Sequence, residues 1–173
     1  MFNNKSLFVP AALVLACFLG SSAANAQDSI CRYTLASLQG TYAVVNSYGA
    51  SVALGLQVES LDGKGNLTRT GILNQPTAGS TTGARTVGTV TSNGTYTVNC
   101  DGTGTITRVV TRPDGTTALA SDDFIITEAN AGLISDAGFG RLIATTIVDV
   151  QRDPSVILPG GVFLTRVHTR RPY

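Results

Sequence analysis

His168 is the only imidazole in the chain, so it is the one side chain whose ordinary pKa suits proton transfer near neutral pH. On an extended segment it shares a face with Val162, Leu164 and Arg166. Arg152, Arg166, Arg170 and Arg171 make this end of the chain basic. The cluster reads as a solvated end, and His168 as a surface or barrel-end histidine. No Gly-x-Ser-x-Gly elbow occurs, and no partner for a Ser-His-Asp arrangement is visible. Asp122 and Asp123 are adjacent, so on a strand their carboxylates point to opposite faces and cannot form a facing pair. The spacing of Glu59, Glu128, Asp136, Asp149 and Asp153 gives no sign that two of them meet as a glycosidase acid pair.

The Asp62-Gly63-Lys64-Gly65-Asn66 run has too few side-chain oxygens for calcium, which takes six to eight ligands, so it reads as a hairpin turn. Asp101-Gly102-Thr103-Gly104 reads the same way, and no helix follows it to make a phosphate loop. The sequence therefore assigns no catalytic residue, no metal ligand and no cofactor, and leaves any ligand-binding residues unknown. The cysteines are more informative. Cys31 and Cys100 lack C-x-x-C spacing and have no histidine near them, so they are expected to form a structural disulfide that pins the N-terminal segment.

The elements that must carry these residues are strands. After Gln39 the chain is rich in β-branched residues punctuated by glycine. The one helical candidate is a turn or so within Ile30–Leu38. Val52, Leu54, Leu56 and Val58 alternate with Ala53, Gly55, Gln57 and Glu59, the pattern of a half-buried strand with one apolar face. Further strands are expected over 85–91 and 95–99, with Ser92-Asn93-Gly94 turning between them, then over 105–112 and 116–127. Ala129-Asn130-Ala131-Gly132 reads as the next break. Residues 141–150 carry apolar groups on both faces, 153–161 form a longer loop, and 162–169 form the last strand. Gln75–Gly83 is the expected mobile loop at a barrel mouth. Short connections favour neighbouring antiparallel strands. The expected fold is all-β, a single up-and-down antiparallel barrel of about eight to nine strands, because closure removes the exposed edges of a long meander. A β-sandwich is the alternative.

Residues 1–26 read as a signal peptide. Lys5 precedes an apolar run from Leu7 to Gly20, and Ala24-Asn25-Ala26 is a small-x-small cleavage site. The run is shorter than the roughly 20 residues of a membrane-spanning helix. Cleavage would leave residues 27–173 as one barrel domain without a transmembrane segment. A minor alternative is a lipoprotein anchored through Cys17, since Val14-Leu15-Ala16-Cys17 resembles a lipobox. The expected location is the periplasm or outside the cell. Twelve Lys and Arg against eleven Asp and Glu leave no basic field to hold nucleic acid.

Gly94-Thr95-Tyr96-Thr97-Val98-Asn99-Cys100-Asp101-Gly102-Thr103-Gly104-Thr105-Ile106-Thr107 resembles the central signature of small exported bacterial proteins. Leu38-Gln39-Gly40-Thr41-Tyr42 and the Asp62–Asn66 hairpin match the same order. The resemblance implies a compact calycin-like or allene-oxide-cyclase-like barrel and supplies no catalytic residue. Residues 128–161 depart from it. The function expected first is that of a non-enzymatic exported barrel holding a small apolar or amphiphilic ligand, in a cavity of roughly 300 Å³ or more. A structural or adhesive cell-envelope protein is the alternative, suited by Thr-rich strands of low charge. A barrel-type cyclase or isomerase is the third, and it requires a polar group deep in the barrel with a shifted pKa. The sequence leaves the oligomeric state open.

Overall fold

The computed structural model describes residues 31–48, 53–132, 142–153 and 163–172. The expectations for the signal peptide, Cys17, Val52, Asp136 and the 153–161 loop fall wholly or largely outside them. Eight strands follow a single turn of 3-10 helix at Leu35–Leu38: β1 (Gly40–Ser47), β2 (Leu54–Leu61), β3 (Asn66–Pro76), β4 (Arg85–Val98), β5 (Thr103–Thr111), β6 (Thr117–Ala131), β7 (Leu142–Gln151) and β8 (Thr165–Arg170). Each pairs antiparallel with the next, and β8 returns to β1, so the sheet closes into an up-and-down barrel.

Turn chemistry fixes the hairpins. Asp62 Oδ1 accepts hydrogen bonds from the Lys64 and Asn66 N–H groups, at 2.7 and 2.9 Å. Asp101 and Asp114 do the same for the N–H groups of Thr103 and Thr116. Gly102 sits at φ 89°, where a side chain would be strained.

Two expected breaks are absent. Residues 85–98 form one strand, and Ser92-Asn93-Gly94 lies in its middle, with Asn93 opposite Thr68 and Val109. Gly94 serves the sheet in another way: a Cβ there would collide with the Thr107 carbonyl and Arg108 of β5. The glycine marks a close approach of two strands, and sequence alone reads such a glycine as a turn. Ala129–Ala131 likewise belongs to β6, which absorbs the irregularity as register shifts between Ile126 and Ala129.

The larger departure concerns the faces. Leu54, Leu56 and Val58 point outward, and Gly55, Gln57, Glu59 and Leu61 point into the barrel. Alternation identified β2 as a strand, yet it is the polar set that faces in. The interior is layered to receive it. One end is an apolar cluster built on Leu38, Tyr42, Ile106, Phe124 and Ile147, with Tyr96 beside them. The other end holds Leu73, Val90, Val110 and Leu164. The 3-10 turn packs on the first cluster, where Leu38 is fully buried and the Leu35 carbonyl accepts from Tyr96 Oη at 3.1 Å. The Cys31–Cys100 disulfide, Cα–Cα 4.5 Å, ties this segment to the β4–β5 turn. For a sequence separation of 69, chain entropy assigns such a bond about 4 kcal/mol.

Candidate functional site: a charged belt inside the barrel

Between the two apolar clusters, the inward positions carry charge. Glu59 on β2, Arg69 on β3, Arg108 on β5, Asp122 on β6, Asp149 on β7, and Arg166 and His168 on β8 are all buried. They join into one alternating chain. Arg69 donates to Glu59 Oε1, with Nε at 3.0 Å. Glu59 Oε2 lies 2.7 Å from His168 Nδ1, and His168 Nε2 lies 2.9 Å from Asp149 Oδ2. Arg166 Nη1 donates to both Asp149 oxygens, at 2.8 and 2.7 Å, and its Nη2 reaches Asp122 Oδ1 at 3.0 Å. Arg108 completes the chain on Asp122, at 2.8 Å to Oδ2.

The electrostatics follow from this order. Burial opposes the charge of Glu59, but Arg69 and His168 outweigh it and hold the carboxyl at about 2. Burial also opposes Asp149, and Arg166 with His168 still pull it below the ordinary range. Burial disfavours the His168 cation, yet Glu59 and Asp149 raise its pKa above 6.5. A carboxylate only accepts, so a ring with a carboxylate on each nitrogen carries both protons. Arg166 is raised because Asp149 and Asp122 outweigh burial. Arg108 moves the other way, down to about 9, through burial and the neighbouring charges of Arg166 and Arg69, which Asp122 and Asp149 only partly offset.

His168 is therefore a buried member of a charged network, which corrects the surface or barrel-end reading. Arg166 leaves the expected solvated cluster for the interior, and Arg170 donates to the Gln39 carbonyl at 2.6 Å near Tyr42. Glu59 and Asp149 do come together, through His168, while Glu128 is exposed and bonds Thr146. Asp122 and Asp123 point to opposite faces as expected, with Asp123 outside on Arg152. Among the described residues no group of His, Cys, Asp and Glu is arranged to hold a metal ion, and no helix is long and apolar enough to cross a membrane.

No family model, curated protein or solved structure matches this chain.

The space in the belt is small. It measures about 10 Å³, room for about one water molecule, and is lined by Arg69, Arg108, Arg166, Asn46, Gln57 and Gln151 among others. An organic ligand needs roughly 300 Å³ or more, so this space cannot house one. The buried groups with shifted pKa that a cyclase or isomerase requires are present, but their partners are one another, and apolar clusters flank the belt on both sides. The larger depressions lie at the surface. One of about 480 Å³ includes Ser47, Tyr48, Val150 and Phe163, and another of about 520 Å³ lies between β4 and β5.

The outer wall is the inverse of the interior. On β8, β1, β2 and β3 every outward side chain is uncharged, and Glu59, Arg69 and Arg166 of those strands all turn inward. A row of apolar residues crosses six neighbouring strands: Ile125, Val148, Val167, Val45, Leu56 and Ile72, each the register partner of the next. Leu56 is 57% exposed and Val45 53%.

Proposed function

We propose that the chain is an exported, non-enzymatic barrel that serves the cell envelope as a structural element, packing laterally through its outer wall. The observation that carries this reading is the inverted charge pattern. On β8, β1, β2 and β3 the charged residues turn inward to the belt, and the wall over those strands offers Thr, Ser and Asn around a continuous apolar row. Such a row exceeds the scattered apolar residues of an ordinary surface. A closed barrel has no free strand edge, so association must be face to face. The Cys31–Cys100 disulfide fits an oxidising compartment of the exported kind.

A second reading, binding of a small amphiphile, draws on the depression of about 480 Å³, where exposed Phe163 and Val150 stand beside Tyr48 and Gln151. A concentration series by light scattering, with cell fractionation, separates the two. Lateral packing predicts concentration-dependent assembly that Leu56→Lys abolishes. A monomer at every concentration, found in the soluble periplasmic extract, refutes it. A co-purifying amphiphile in native mass spectrometry, lost in Phe163→Ala, would favour the second reading.

A further inference from the structure

We propose that the belt holds one small monovalent anion of halide size, seated beside Arg108 Nε between Arg108 and Arg69. The alternating chain has a cation at each end. In order it reads Arg69, Glu59, His168, Asp149, Arg166, Asp122, Arg108, which is four cations and three anions. The positive count of His168 rests on geometry, because each ring nitrogen faces a carboxylate oxygen. The belt thus buries one uncompensated positive charge, which is costly wherever water is excluded.

The gap in the chain has a definite place. Arg69 on β3 and Arg108 on β5 are separated by β4, whose inward residues there are Ser92 and Gly94. No carboxylate of β4 stands between the two guanidinium groups, and both arginines line the small cavity together with Ser92 of β4 and Arg166. Arg108 Nε is buried and has no hydrogen-bond partner. The amide oxygens of Asn46, Gln57 and Gln151 are buried without partners on the same cavity. Those three side chains are at least nine-tenths buried. An amide can present its NH₂ group in place of its oxygen, so all three can donate to an anion. The lowered pKa of Arg108, set first by burial and then by the charges of Arg166 and Arg69, is compatible with this placement. A water molecule would satisfy Arg108 Nε but leave the charge standing. A halide satisfies the donor and closes the alternation into a ring.

The test is thermal unfolding of the purified protein in sodium chloride, sodium bromide and sodium gluconate at matched ionic strength. Gluconate is too large for the cavity. The expected result is a Tm that rises by about 3–5 °C per tenfold increase in chloride or bromide and stays flat against gluconate. Gln57→Glu places a carboxylate on the cavity and should reduce that slope to below about 1 °C while keeping the fold, with Gln151→Glu as the second variant. Crystals grown in bromide should show an anomalous peak next to Arg108 Nε. Equal Tm in all three salts, an undiminished slope in the folded variant, or a bromide crystal with only water at Arg108 would each overturn the proposal.

Discussion

Asp122 and Asp123 offer a controlled experiment within one strand. Asp122 is fully buried and shared by Arg108 at 2.8 Å and Arg166 at 3.0 Å. Asp123 meets Arg152 on the outer wall, where the side chains are 46% and 56% exposed. Replacing Asp122 with Asn removes the only carboxylate on Arg108 and one of two on Arg166, so two buried guanidinium groups lose compensation. Breaking a buried pair from one side costs about 3–5 kcal/mol, a large share of a domain's total of roughly 5–15. With a urea m-value of about 2 kcal/mol/M, the midpoint should fall by about 1.5–2.5 M. Asp123→Asn removes the same charge one residue away, but from a pair that water and salt already screen, so its midpoint should not move measurably. The assay is urea unfolding followed by circular dichroism, with m compared across the three proteins. Equal losses in the two variants, or a loss confined to Asp123→Asn, would refute the placement of the belt.

Other outcomes follow from the same geometry. Stability should depend on pH with two limbs. Glu59, depressed to about 2, contributes stability that is present above its ordinary 4.5 and is lost as pH falls towards 2. His168, raised, contributes stability that is complete below 6.5 and is lost as pH rises through its folded pKa. The maximum should therefore lie between about 4.5 and 6.5 in urea melts, and His168→Ala should remove the alkaline limb that His168 contributes. Reducing the Cys31–Cys100 bond should lower stability by up to about 4 kcal/mol, measured as the shift in urea midpoint with and without reductant. Gly94→Ala should destabilise by about 1–3 kcal/mol in the same assay, because its Cβ meets the backbone of β5. Leu56→Lys, on the outer wall, should leave the midpoint within about 0.5 kcal/mol of the parent.

Strand content, the closed meander, the Asp-Gly hairpins and the Cys31–Cys100 pairing were legible from residue types alone, because turn chemistry and β-branching act locally. The inward face of β2 was not. Period-two alternation shows that Leu54, Leu56 and Val58 share a face, and the usual inference turns an apolar face inward. Here Glu59 finds Arg69 across β3 and His168 across the barrel closure, contacts that span 10 and 109 positions. Once those pairs form, the apolar set must face out. His168 escaped for the same reason, since its partners come from β2 and β7 and no local pattern joins them. One signal was available: Glu59, Arg69, Arg108, Asp122 and Asp149 each occupy a strand position flanked by uncharged residues on the same face, a pattern shared by five strands. Gly94 was misread because a glycine that permits close strand approach looks the same in sequence as one that turns the chain.

His168, being the only histidine, gives an unobscured view of the belt. A titration of its two ring nitrogens by ¹H–¹⁵N correlation NMR asks directly whether the imidazole lies between two buried carboxylates. Both nitrogens should carry protons at pH 7, because each faces a buried carboxylate oxygen, and the ring should titrate above the ordinary 6.5. A neutral ring at pH 7, with one bare nitrogen and an ordinary titration, would contradict the charged interior from which the rest is argued.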